Sequence, residues 1–203
     1  MQNEFSILMV CTGNICRSPM AENLLAKMVQ DISEVRIMSA GTHAMVGEPM
    51  FPISQQIAQS YGAEDLESHR ARQVTDELLK ASDLVLTMTR EQRRFVVESN
   101  PHVTRRAFTL REFSRLASVT TDEMLAADLE TIKDFNVDKL RTAVQSVSLS
   151  RSQVSPVSEP AELEVIDPYG QPAAVHQDSA EQLVPAIESV ADLIRRALIV
   201  TKT

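Results

Sequence analysis

The sequence predicts an α/β fold: three layers, α/β/α, around a central four-stranded and mainly parallel sheet, with a helical insertion. Three observations carry this. Apolar runs of strand length alternate with segments of helical period, in the order βαβαβαβ, from Phe5 to Leu110. The strand runs are continuously apolar rather than alternating, as in sheets covered on both faces. A polar loop, Cys11-Thr12-Gly13-Asn14-Ile15-Cys16-Arg17-Ser18, joins the first strand to the first helix. That is the carboxyl end of a strand, where such sheets bind ligands.

The elements follow in order. Phe5–Val10 reads as a buried strand. Ser18 offers a helix N-cap and Pro19 a first helical position. Met20, Leu24, Leu25, Met28, Val29 and Ile32 then form one apolar stripe. Val35–Ser39 is a second strand, and His43 to Pro52 a loop broken by Gly47, Pro49 and Pro52. Ile53, Ile57 and Tyr61 mark a helix stopping at Gly62, and Thr75-Asp76-Glu77 starts a short one. Asp83–Met88 is a third strand, Arg90–Glu98 a helix, and Ala107–Leu110 a fourth strand. From about Ser118 the composition changes. Met124, Leu125, Leu129 and Ile132 suggest one helix, and Leu140, Val144 and Val147 another. Ser146–Glu162 is rich in Ser, Pro and Glu and reads as a mobile loop. The excursion is expected to be a surface embellishment. A turn follows at Val165–Gly170, then a final helix over about Ala180–Val200.

Length and charge bound the function. The 203 residues suffice for a single domain, 1–203, with an insertion at about 118–163. A formal charge of −8 disfavours nucleic acid and anionic membranes as partners. No stretch has the pattern of a signal peptide or the length of a membrane span, so a cytoplasmic protein without membrane insertion is expected. The two cysteines, Cys11 and Cys16, both sit in the opening loop. Their closeness fits neither a disulfide framework nor a structural zinc site, and reactivity explains the placement better.

A loop at a strand–helix junction points backbone N–H groups inward at the positive end of the helix dipole. Such a cradle suits a tetrahedral oxyanion. It also favours the thiolate of Cys11, with the Arg17 guanidinium helping. Arg17 can grip two phosphate oxygens through its planar fork. Gly13 permits close backbone approach, and Asn14 tolerates the left-handed conformation that turns N–H groups inward. Ser18 can donate to the Cys11 sulfur. Attack on phosphorus needs a proton donor for the leaving oxygen, and the loop contains none. Asp167, in an Asp-Pro-Tyr-Gly turn with Tyr169 beside it, is the candidate.

These residues resemble a known family. Val10 to Glu22 looks like the signature of the low-molecular-weight protein tyrosine phosphatases. Ser39-Ala40-Gly41-Thr42, His69-Arg70-Ala71-Arg72-Gln73, Asp83–Met88 and Asp167-Pro168-Tyr169 follow in the family's order. The resemblance covers about residues 4–113 and 164–200. It implies that Cys11 forms a phosphocysteine, that Arg17 binds the phosphoryl group, and that Asp167 protonates the leaving phenol and then activates water. It implies phosphate binding by Thr12, Gly13, Asn14, Ile15, Cys16, Arg17 and Ser18, with Asn14, Ser18 and His69 as the supporting network. Cys16 matches the second loop cysteine, which in the family can trap Cys11 as a reversible disulfide. No metal or cofactor is implied. His43, His102 and His176 read as surface residues.

The pattern also departs from many members. Ala44-Met45 stands where an aromatic residue is common, and Gly170 where a second aromatic follows Asp-Pro-Tyr. The expected substrate pocket is therefore Tyr169 with Ala44 and Met45. His43–Gly47 is more like bacterial members that act on tyrosine kinases of exopolysaccharide export. The resemblance thus implies a phosphotyrosine-containing protein as substrate, a kinase tail among the candidates, and inorganic phosphate as product. Two alternatives use the same fold. An arsenate reductase of the thioredoxin-linked type needs a further redox cysteine, absent after Cys16. A phosphoarginine phosphatase tends to have Thr where Ile15 stands.

Overall fold

In a computed structural model of the chain, residues 4–130, 132 and 136–200 are described. Four strands form one sheet: β1 (Phe5–Cys11), β2 (Val35–Gly41), β3 (Leu84–Thr87) and β4 (Ala107–Thr109). Their order is β2-β1-β3-β4 and every pairing is parallel. Chain order reverses between β1 and β3. The ends of these two strands, with Val10 opposite Thr87, therefore flank the switch point where α/β sheets bind ligands.

β1 is buried along its whole length. Its alternate side chains divide between two cores, because the side-chain period of a strand is two. Phe5, Ile7, Met9 and Cys11 join one apolar cluster, whereas Leu8 and Val10 join the other. The larger core is built with α1 (Arg17–Met28), α5 (Leu110–Val119) and the long α8 (Ala173–Ile199). The opposite core is closed by α3 (Asp76–Ala81) and α4 (Arg90–Ser99). This arrangement is the predicted three-layer α/β/α fold, and it explains why the strands read as unbroken apolar runs. The remaining helix of the first half, α2 (Pro52–Ser60), carries Pro52 at its start and packs on α8. Pro52 therefore begins a helix rather than breaking a loop.

Three expectations change. Leu110, expected to end the fourth strand, instead opens α5 (Leu110–Val119), a helix the sequence reading lacked. Thr109 caps that helix in a reciprocal capping box with Glu112, a Thr-x-x-Glu signal present in the sequence. α8 begins at Ala173, seven residues before the expected start at Ala180. Its first turns bury His176 and Ser179, polar residues that interrupt the apolar stripe.

The third change concerns the excursion after β4. α6 (Asp122–Leu129) and α7 (Asn136–Leu149) match the two predicted stripes. Their Leu125, Leu129, Val137, Leu140, Val144 and Val147 belong to the same core as Phe5, Phe113 and Val190. These helices are core, not embellishment. Arg141 on α7 also pairs with Asp83 at 2.8 Å, and the other oxygen of Asp83 accepts the Ser6 N–H at 2.9 Å. Residues 131 and 133–135 of the excursion lie outside the described residues, as do 1–3 and 201–203. The stretch read as a mobile loop, Ser146–Glu162, begins inside α7, which runs to Leu149, and carries 3-10 turns at Ser150–Gln153 and Pro160–Leu163. Arg115 of α5 fastens it through the Ser155 carbonyl at 2.7 Å, and Arg111 holds the residues that follow through the Glu164 carbonyl at 2.8 Å. Among the described residues, no helix is long and apolar enough to cross a membrane.

Candidate active site

The loop after β1 is shaped by where its carbonyls go. Cys11, Thr12 and Gly13 give theirs to the N–H groups of Thr42, His43 and Met45, at 2.9, 3.0 and 3.0 Å. Asn14 gives its carbonyl to His69 Nε2 at 2.7 Å, and Ile15 to the Phe51 N–H at 2.7 Å. Five successive carbonyls thus point outward. In a planar trans peptide the following N–H points the opposite way, so the N–H groups of residues 12–16 turn to the inner face. Asn14 has φ +57°, the left-handed conformation expected of it.

Asn14 is the hub of this arrangement and is fully buried. Its amide donates to Ser18 Oγ at 2.9 Å and to Ser39 Oγ at 2.8 Å, and its side-chain oxygen accepts the Arg72 N–H at 2.9 Å. Ser18 Oγ lies 3.0 Å from Cys11 Sγ. The hydroxyl can donate its proton to the sulfur, and it is the only donor of that pair once Cys11 is a thiolate. The Asn14 N–H donates to the same sulfur at 3.2 Å. Ser18 is therefore not the helix cap. α1 starts at Arg17 after Cys16, which caps without a side-chain bond, and the hydroxyl serves Cys11 instead.

Arg17 is 3% exposed, buried by the first turn of α1. One terminal nitrogen donates to the Val165 carbonyl at 3.2 Å, and the other pairs with Asp167. Its Nε is buried and has no partner among the described residues. A buried donor left free beside a cavity is available to a ligand oxygen. The turn at Asp167 reaches the loop despite the long excursion before it. Val165 is held by its N–H to the Met88 carbonyl at 2.9 Å, at the end of β3. Asp167 spans the gap with one oxygen on Arg17 and the other accepting the Tyr169 N–H at 3.2 Å. Its side chain remains 52% exposed, open to an incoming group.

A cavity of about 160 Å³ is lined by Cys11, Gly13, Ile15, Arg17, Met45, Asp167 and Tyr169, together with Thr12, Cys16 and His43. The structure thus brings together the thiol, the guanidinium, the carboxylate and an apolar wall. Two expectations shift. Ala44 is not in the lining; its Cα sits against Gly41, and its N–H is taken by Gln73 at 3.0 Å. His43, read as surface, is exposed and also lines the cavity. His176, also read as surface, is 1% exposed. It pairs with Ser54 at 2.9 Å and stacks on Phe51 at 5.4 Å, and Phe51 meets the edge of Tyr169 at 5.9 Å. Burial pulls its pKa down from the ordinary value. Burial also pushes the Cys16 thiol up to about 11, against a hydrogen bond from Ser54 that favours the thiolate. Cys16 is therefore a neutral thiol at physiological pH. Both cysteines are free.

Sequence reasoning missed Gln92, which donates to Thr12 Oγ1 at 3.1 Å while its oxygen accepts from the N–H groups of Met88 and Thr89. It also passed over Ser39 and Arg72, although both lie in stretches matched to the family. Gly41 is the tightest point. A Cβ there would stand 2.4 Å from the Thr12 carbonyl oxygen and 2.9 Å from Ala44 Cα. Gly41→Ala must displace backbone on both sides of the loop, a cost of about 1–3 kcal/mol. It is expected to lower both the melting temperature and kcat/KM, measured by thermal unfolding and aryl phosphate hydrolysis.

Comparison with known proteins places this architecture. The family model for low molecular weight phosphotyrosine protein phosphatase matches residues 6–123. A probable low molecular weight protein-tyrosine-phosphatase, EpsP of Ralstonia solanacearum, is 38% identical over 110 residues, covering 54% of this chain and 73% of that protein. The low molecular weight protein-tyrosine-phosphatase Etp of Escherichia coli K12 is 41% identical over 98 residues, 48% of this chain and 64% of that protein. Among solved structures, the tyrosine phosphatase amsI of Erwinia amylovora superposes with a TM-score of 0.64 at 26% identity, covering 95% of this chain and 93% of that one. The YwlE arginine phosphatase from Geobacillus stearothermophilus gives 0.66 at 25% identity, covering 94% and 93%. The chain belongs to the low molecular weight phosphotyrosine protein phosphatase family. It is accordingly an enzyme of the hydrolase class, a phosphatase.

Proposed function

We propose that this phosphatase hydrolyses phosphotyrosine in proteins, with Cys11, Arg17 and Asp167 as its catalytic residues. One observation carries the assignment: the three line a single cavity, and Arg17 is tied to Asp167 within it. The inward N–H groups of residues 12–16 and Arg17 hold the phosphoryl oxygens. The Cys11 sulfur attacks phosphorus, the bond from phosphorus to the phenolic oxygen breaks, and Asp167 gives that oxygen its proton. Asp167, now a carboxylate, takes a proton from water as the water attacks phosphorus. The S–P bond breaks, and inorganic phosphate and the thiolate result. Asn14, Ser18 and His69 hold the loop in shape. Ile15, Met45 and Tyr169 flank the aryl ring.

The same reading takes residues 1–203 as one phosphatase domain with an insertion at about 118–163, acting in the cytoplasm. A tyrosine kinase of exopolysaccharide export is the proposed partner class, on the resemblance at His43–Gly47. The fold also hosts an arginine phosphatase, but the apolar Ile15 in the cavity wall suits a phenyl ring better than a guanidinium. Phosphate release from matched phosphotyrosine and phosphoarginine peptides tests this. A preference of about 100-fold or more in kcat/KM for phosphotyrosine is expected. The reverse preference would replace the tyrosine assignment with the arginine one.

A further inference from the structure

A second cleft, of about 1030 Å³, opens between α4, α5 and residues 151–164. Arg90, Arg93 and Arg94 of α4, Arg115 of α5 and Arg151 line it. These five are a quarter of the chain's 20 Lys and Arg, gathered in one place on a protein of net charge −8. Three carboxylates, Glu91, Glu112 and Glu164, line the same cleft and do not neutralise all five. Glu112 is shared between Arg151, at 3.1 Å, and Arg93, at 4.0 Å. Glu164 is occupied by the Arg90 backbone N–H at 2.9 Å. Among the described residues Arg94 pairs with Glu98, an exposed pair that solvent screens, and Glu91 adds a weaker attraction. The Arg90 side chain is exposed and has no ion pair among the described residues. Burial, with the Arg151 and Arg90 cations adding and Glu112 opposing, holds Arg93 below the usual guanidinium range. Uncompensated cations so close together suit an anionic ligand.

The cleft is continuous with the active site. A middle cavity of about 610 Å³ shares Glu91 and Glu164 with the arginine cleft. It shares Thr12, Arg17, His43 and Asp167 with the Cys11 cavity. One groove thus runs along the 161–167 segment from Cys11 to the arginines. A chain that places its phosphotyrosine over Cys11 can lay its neighbouring residues along that groove. We propose that the arginine cleft is a second recognition site for the substrate protein, which binds an acidic segment flanking the phosphotyrosine through Arg90, Arg94 and Arg115. This rests on the tyrosine phosphatase assignment above. Its charge is opposite to that of the molecule as a whole, so the attraction is local and falls as salt is raised.

The test compares two phosphotyrosine peptides, identical near the phosphotyrosine but carrying either an acidic or a neutral distal segment. They are assayed on the wild-type chain and on a double variant, Arg90→Ala with Arg94→Ala. Both arginines are exposed on α4 and neither holds Glu112, so the fold is kept, and p-nitrophenyl phosphate turnover reports it. The wild type is expected to favour the acidic peptide by about five- to thirtyfold in kcat/KM, carried by KM, for a few exposed ion pairs acting together. The preference should shrink with salt and disappear in the double variant, while p-nitrophenyl phosphate is hydrolysed equally by both. Equal kcat/KM for the two peptides on an otherwise active wild type overturns the cleft assignment and leaves the phosphatase assignment standing. So does a preference that survives in the double variant. If tripolyphosphate alters p-nitrophenyl phosphate turnover and no peptide preference exists, the cleft serves a free anion and the proposal is wrong. Failure to hydrolyse any phosphotyrosine peptide overturns both assignments together.

Discussion

Cys11→Ser is expected to abolish turnover of aryl phosphates, with kcat falling by at least about 10⁴-fold, the scale seen when a nucleophile is removed from a preorganised site. Phosphate should still bind. The proposed oxyanion donors are the N–H groups of residues 12–16 and the Arg17 guanidinium, none of which the substitution removes. Ser18 Oγ and the Asn14 N–H, which meet the sulfur at 3.0 and 3.2 Å, find an oxygen in its place. Isothermal titration with inorganic phosphate and a phosphate-release assay on the same preparation separate binding from chemistry. Wild-type kcat in the Ser variant would end the assignment of Cys11 as nucleophile. Loss of phosphate binding along with activity would point instead to collapse of the loop.

The second large effect is at Asp167. Asp167→Asn keeps the shape of the side chain and an oxygen for Arg17, but removes the transferable proton. A drop in kcat of about 10²- to 10⁴-fold is expected for phosphotyrosine, whose phenolate leaves poorly without a proton. The drop should be much smaller for p-nitrophenyl phosphate, whose phenolate departs unaided, and KM should change little. A series of aryl phosphates graded by leaving-group acidity provides the measurement. The slope of log kcat on leaving-group pKa should steepen in the variant. An unchanged slope would mean that Asp167 merely anchors Arg17. That outcome is physically meaningful, because Arg17 is 3% exposed and Asp167 is its ion-pair partner.

Much of the fold was legible because it is written in local patterns. β1 and the β3 run are continuous apolar stretches, and both are buried as such stretches require. The capping residues Thr75 and Thr89 sit where the helices were expected to start, and both caps are formed. α5 was missed although its Thr109–Glu112 capping box was present, because Leu110 was assigned to the strand before it. The start of α8 was missed because His176 and Ser179 are polar residues on a buried face. A polar residue reads as exposed unless its partner is known. The partner of His176 is Ser54, 122 residues away in the chain.

The candidate site divides along the same line. The order of residues Cys11 to Pro19, with Asn14 able to take a positive φ, suffices to predict an anion cradle with a thiol, since those properties depend on neighbours in the chain. Three other features required the tertiary structure: that Asp167 meets Arg17 across 150 positions, that α6 and α7 belong to the core, and that five loop carbonyls are held outward by residues 42–51 and His69. Each depends on contacts between segments far apart in sequence, and a pattern of short period carries no information about which distant segment will supply the partner. Chain order placed the thiol at the end of a strand, while packing brought it the acid.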